Sequence, residues 1–142
     1  KFEVYSRFCQ SGEIKLFPLA GKMVEKLSLK HKLAIASGSW AKDIRSILEN
    51  AGASDLFPVI LGKESAAREK PHPDISLNAA EKLGCAPSEC FVLEDALKGL
   101  YAAKEAGMPC IILRNPLNQN INFDGAELIF ETLDDFVSAL KA

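Results

Sequence analysis

No apolar run in these 142 residues approaches the about 20 that a membrane-spanning helix needs. Positive charge is not in excess either: 17 Lys and Arg face 19 Asp and Glu, for a net charge of −2. Nothing here would neutralise a nucleic acid backbone or an anionic membrane surface, so neither is expected as a partner. The opening Lys1-Phe2-Glu3-Val4-Tyr5-Ser6-Arg7 has no continuous apolar region behind its charge and does not read as a secretory leader. Cys9, Cys85, Cys90 and Cys110 are scattered without a CxxC spacing, which predicts free thiols in a reducing, cytoplasmic setting.

What is present is the balance of a globular domain, 48% hydrophobic and 25% charged, with enough length to bury a core. Short apolar runs recur at Leu33–Ala36, Pro58–Leu61, Cys90–Leu93, Cys110–Leu113 and Leu128–Phe130. They are continuous rather than alternating, as in strands buried on both faces of a parallel sheet. Between them lie helical stripes. Met23, Val24 and Leu27 form one, and Ile44, Ile47, Leu48 and Ala51 another. Ile75, Ala79, Ala80 and Leu83 repeat the pattern, as do Leu97, Leu100, Ala103 and Gly107. Gly52, Gly84 and Gly107 sit where such helices stop. The succession predicts a Rossmann-like three-layer α/β/α fold around a mostly parallel sheet. Phe2, Tyr5 and Cys9 suit a short helix, and Asn115–Asp124 a long loop.

In open α/β sheets ligands bind beyond the carboxyl ends of the strands, and three such ends carry polar residues. Ser37-Gly38-Ser39 follows the Leu33 run and precedes a helix. A hydroxyl with backbone N–H groups at a helix N-terminus suits a phosphate, though Ser39 would equally serve as a plain N-cap. Glu69-Lys70-Pro71-His72-Pro73-Asp74 follows the Val59 run, and its prolines fix the backbone on either side of His72. Lys70 there could neutralise a phosphoryl group or be an ordinary solvated lysine; His72 reads as a surface residue. Glu94-Asp95 ends the Cys90 run. Adjacent carboxylates repel, and Mg²⁺, an oxygen-seeking cation, relieves that cost; the alternative is a helix cap at Asp95. Hydroxyl, lysine and acidic pair, in that order at successive strand ends, form a phosphoryl-transfer constellation.

That order resembles the haloacid dehalogenase superfamily, in the branch of β-phosphoglucomutase-like and phosphoglycolate phosphatase-like enzymes. Leu33-Ala34-Ile35-Ala36-Ser37 looks like its second motif, and Lys70-Pro71-His72-Pro73-Asp74 like the third, K-P-x-P-D. Glu94-Asp95-Ala96-Leu97-Lys98-Gly99, running on to Ala106-Gly107-Met108, matches the fourth, with Ala96 where Ser is usual. Leu16-Phe17-Pro18 looks like the start of the family's core. The resemblance implies that Ser37 and Lys70 bind the transferring phosphoryl group, that Gly38 and Ser39 complete the phosphate cradle, and that Glu94 and Asp95 hold Mg²⁺ directly or through water. It implies a Mg²⁺-dependent phosphomonoester hydrolase of a small phosphorylated metabolite, working through an aspartyl-phosphate. A sugar phosphomutase of the β-phosphoglucomutase type and a non-catalytic interaction protein of the same fold are the alternatives.

The family's first motif, D-x-D-G-T/V, carries the nucleophile, and no D-x-D occurs anywhere in this sequence. In the family that strand lies mid-sheet, between those ending at Ser37 and Glu94. Its loss would leave two buried strand edges with unpaired backbone groups. Residues 1–16 are therefore expected to be the end of a helical cap and its linker, and 17–142 the core without its first strand. A preceding segment or a partner chain is expected to complete the sheet and site, and this chain alone is expected to be inactive.

Overall fold

The structure, a computed structural model, describes residues 2–5 by their backbone and residues 24–50 and 52–140 with their side chains. Among the described residues six strands form one sheet: β1 (Phe2–Tyr5), β2 (Lys32–Ala36), β3 (Val59–Leu61), β4 (Cys90–Glu94), β5 (Cys110–Leu113) and β6 (Leu128–Phe130). Their order is β3-β2-β1-β4-β5-β6, and every pairing is parallel. Four helices have defined bounds: α1 (Ala41–Asn50), α2 (Asp74–Leu83), α3 (Leu97–Glu105) and α4 (Leu133–Ala139). Residues 24–28 are helical as well.

Helices on both faces explain why the strands read as unbroken apolar runs. Along β2, Ala34 and Ala36 point into a core shared with Ile75, Ala79 and Leu83 of α2 and with Leu100 and Ala103 of α3. Leu33 and Ile35 point the other way, into a core with Val24, Leu27, Ile44 and Leu48 of the helical segments and with Phe136 and Val137 of α4. Leu33 and Ile35 are both almost fully buried, and each contributes about 1.5–3 kcal/mol by leaving water. The alanines of the first face let α2 approach the sheet closely. The expected three-layer α/β/α architecture is the one observed.

The helix ends follow the glycines. Gly84 caps α2 in the left-handed region with φ of 76°, its N–H donating to Ala80 O and Glu81 O, and Gly107 after α3 has φ of 77°. Residues 115–124 form turns without strand or helix. No described helix is long and apolar enough to cross a membrane.

Two features depart from the sequence reading. Residues 2–5 form a strand, not the helix suggested by Phe2, Tyr5 and Cys9, and it fills the mid-sheet slot expected to be left for a preceding segment or partner chain. β1 pairs with β2 on one side (Val4 opposite Ala34) and with β4 on the other (Val4 opposite Val92). The physical reason is the slot itself: between β2 and β4, unpaired N–H and C=O groups on both edges favour any segment that can extend, and Phe, Val and Tyr do so readily. The second departure is α4, which no expectation covered. Cys9, Leu16-Phe17-Pro18, Met23, Ala51 and the expected boundary near residue 16 lie outside the described residues.

Candidate active site

Ser37 is the residue after β2, and its N–H donates to Leu61 O of β3 at 3.0 Å. That bond continues the β2–β3 ladder and holds Ser37 at the carboxyl edge, 2% exposed. Its Oγ accepts from Ser39 N at 3.1 Å. The expected cradle is thereby divided. The Ser39 N–H is turned onto Ser37, while the Gly38 N–H, on an exposed residue, has no acceptor among the described residues. At the start of α1, Glu64 Oε1 accepts from Ala41 N at 3.2 Å. Ser39 O in turn accepts from Lys63 N at 2.9 Å, which ties the two strand-end loops together.

Lys70 comes from the loop after β3, joined to Pro71 by a cis peptide bond. Its Nζ donates to Ala36 O and to Glu94 Oε2, both at 3.1 Å. An ammonium has three N–H donors, so one is left for an anion. Lysine and glutamate side chains are 9% and 0% exposed, which makes this a buried ion pair across β2 and β4. Glu94 Oε1 also accepts from Asp95 N at 3.0 Å and from Ala96 N at 3.3 Å. The close approach of α3 to this carboxylate is possible because position 99 is Gly: a Cβ there would coincide with the Glu94 carboxyl group.

Ser37, Gly38, Ser39, Lys70 and Glu94 line one cavity of about 250 Å³ at the carboxyl edge of the sheet, together with Lys98. Asp95 does not line it. Its Oδ2 accepts from Asn115 Nδ2 at 3.0 Å, and its carbonyl from Asn118 Nδ2 at 2.9 Å. Asn118, 3% exposed, also donates to Leu113 O and accepts from Asn115 N. The sequence reading missed this pair because Asn in a loop signals turns. The usable clue was their place directly after β5, at the same sheet edge. His72 is exposed, as the sequence suggested. Nearby, burial pushes the Cys110 thiol up to about 12, and the Glu94 charge adds to it.

The donor chemistry fits a hard divalent cation. Two adjacent carboxylates at a strand end suit Mg²⁺, which takes one or two protein carboxylates. Among the described residues no group of three His, Cys, Asp or Glu could hold a metal ion by itself.

A family model described as haloacid dehalogenase-like hydrolase matches residues 2–113. The chain is 33% identical over 136 residues to a bifunctional riboflavin kinase/FMN phosphatase of Arabidopsis thaliana, a match covering 94% of this chain and 36% of that protein. It is 28% identical over 139 residues to a phosphoglycolate phosphatase of Shigella boydii, covering 96% and 55%. The crystal structure of CbbY from Rhodobacter sphaeroides in complex with phosphate superimposes with a TM-score of 0.77 at 28% identity, over 84% of this chain and 55% of that one. The chain thus spans about half the length of the curated relatives it matches.

Proposed function

The chain belongs to the haloacid dehalogenase-like hydrolases, and from that premise we propose that it serves as the phosphate-binding core of a Mg²⁺-dependent phosphomonoester hydrolase. The substrate class is a small phosphorylated metabolite, in keeping with the phosphatases among its relatives. One observation carries the reading: the buried Lys70–Glu94 pair, beside Ser37, in a cavity at the carboxyl edge of a parallel sheet.

Each residue then has a task. Lys70 gives its remaining N–H and its charge to a phosphoryl oxygen, and the bond to Glu94 fixes where that charge sits. Ser37 Oγ–H and Gly38 N–H donate to the same group. Asp95, oriented by Asn115 and Asn118, would hold Mg²⁺, with Glu94 contributing through water. Bound there, the ion would supply countercharge to the transferring group. No D-x-D occurs in these 142 residues; on this reading a segment or partner chain beyond them supplies the accepting aspartate and takes the slot between β2 and β4 in place of β1.

With the intact protein, Mg²⁺-dependent hydrolysis of p-nitrophenyl phosphate should fall at least about 100-fold in Asp95→Asn and in Lys70→Ala. Calorimetry should show weaker Mg²⁺ binding in Asp95→Asn. Undiminished turnover in both variants would sink the assignment.

A second reading draws on β1. It occupies the position where the family carries its nucleophile, and the sequence continues from it as Ser6-Arg7-Phe8, without a carboxylate. On that reading the protein binds phosphorylated ligands without turning them over. Inorganic phosphate binding with no hydrolysis by the intact protein would favour it.

A further inference from the structure

Away from this site, the fold brings together two thiols that their spacing gave no reason to pair. Cys85 follows the Gly84 cap of α2, and Cys90 opens β4. The four residues between them turn through the 3-10 segment Pro87–Glu89, closed by Ala86 N donating to Glu89 Oε1 at 2.9 Å. The two Sγ atoms lie 2.9 Å apart, within about 1 Å of the bonding distance of a disulfide. Backbone contacts keep them there: Cys85 Sγ faces Ala80 O at 3.7 Å, and Cys90 Sγ faces Ala86 O at 3.5 Å. Cys85 is half-buried and Cys90 buried.

We propose that Cys85 and Cys90 form a redox site, a dithiol that low-molecular-weight disulfides such as oxidised glutathione convert to an intramolecular disulfide. Exposure sets the order of events. The Cys85 thiolate attacks one sulfur of the small disulfide and expels the first thiolate, leaving Cys85 as a mixed disulfide. The Cys90 thiolate then attacks the Cys85 sulfur and expels the second. The protein gives up two electrons and two protons, and the small disulfide becomes two thiols. Burial, and then the hydrogen bond to Cys85, push the Cys90 thiol up to about 12, so its attack is confined to the second, intramolecular step, where proximity offsets the small thiolate fraction. The bond would close at the opposite end of β4 from Glu94, so it stands apart from the phosphatase reading.

The test needs no variant. Both cysteines fall on one tryptic peptide, 83–98, because no Lys or Arg lies between Lys82 and Lys98. The intact protein is treated with oxidised glutathione, then unfolded and alkylated in denaturant without reductant, digested and weighed peptide by peptide. The expected product is peptide 83–98 lighter by two hydrogens and carrying no alkyl group, with the Cys110 peptide fully alkylated. A Cys90→Ser variant should instead accumulate glutathione on Cys85. The proposal is overturned if peptide 83–98 takes two alkyl groups after oxidation, keeps a glutathione adduct in the unaltered protein, or is crosslinked to another peptide.

Discussion

Replacing Lys70 with Met tests the buried pair on which the site is built. Lys70 Nζ is 3.1 Å from Glu94 Oε2, and the glutamate side chain is wholly enclosed. Without the ammonium, Glu94 still accepts from the Asp95 and Ala96 N–H groups. Removing one partner of a buried pair costs about 3–5 kcal/mol, because the other charge stays desolvated. The two amides offset part of that, which sets the expectation at about 3 kcal/mol. With a urea m-value of about 1–3 kcal/mol/M, the midpoint should fall by about 1–3 M. The double variant Lys70→Met/Glu94→Gln should recover much of the loss, since a neutral amide needs no countercharge, and the cycle isolates the coupling. A loss under about 1 kcal/mol for Lys70→Met, as an exposed pair would give, would refute the reasoning.

Gly99→Ala places a methyl group on the Glu94 carboxyl; overpacking of this kind costs about 1–3 kcal/mol in urea unfolding, and unchanged stability would mean that α3 and β4 are further apart. Asn118→Ala leaves the Asp95 and Leu113 carbonyls short of a donor, a loss of about 1–3 kcal/mol by the same assay. Alkaline stability follows from the two buried thiols, Cys90 and Cys110, both pushed from 9.0 to about 12. The folded state keeps protons that the unfolded chain sheds, so thermal stability under reducing conditions should decline as pH rises from about 9 towards 12. Cys110→Ser should flatten that decline; a profile identical to that of the unaltered protein would contradict the cause.

The parts of the fold legible in the sequence are those where burial on two faces leaves no choice. Leu33-Ala34-Ile35-Ala36 and Cys90-Phe91-Val92-Leu93 can be little other than central strands, and the residues that end them, Ser37 and Glu94, fall where ligands bind. Phe2–Tyr5 misled because four residues carry too little periodicity to tell strand from helix; the demand of the β2–β4 slot, a tertiary effect, decides it. α4 was missed because seven residues present few apolar positions, Phe136 and Val137 chief among those buried. Its local signals were Thr132, whose hydroxyl accepts from Asp135 N at 3.0 Å as an N-cap, and the acidic first turn of Asp134 and Asp135. Asn115, Asn118 and the Cys85–Cys90 pair are invisible to spacing rules, because their roles exist only once separate segments meet.

The claim that Ser37, Gly38 and Lys70 form a phosphoryl site is tested most directly by titrating inorganic phosphate into the ¹⁵N-labelled protein with Mg²⁺ present. Saturable amide shifts should centre on Ser37-Gly38-Ser39 and Lys70 and be lost in Ser37→Ala. Shifts centred elsewhere, or none at millimolar phosphate, would contradict the account.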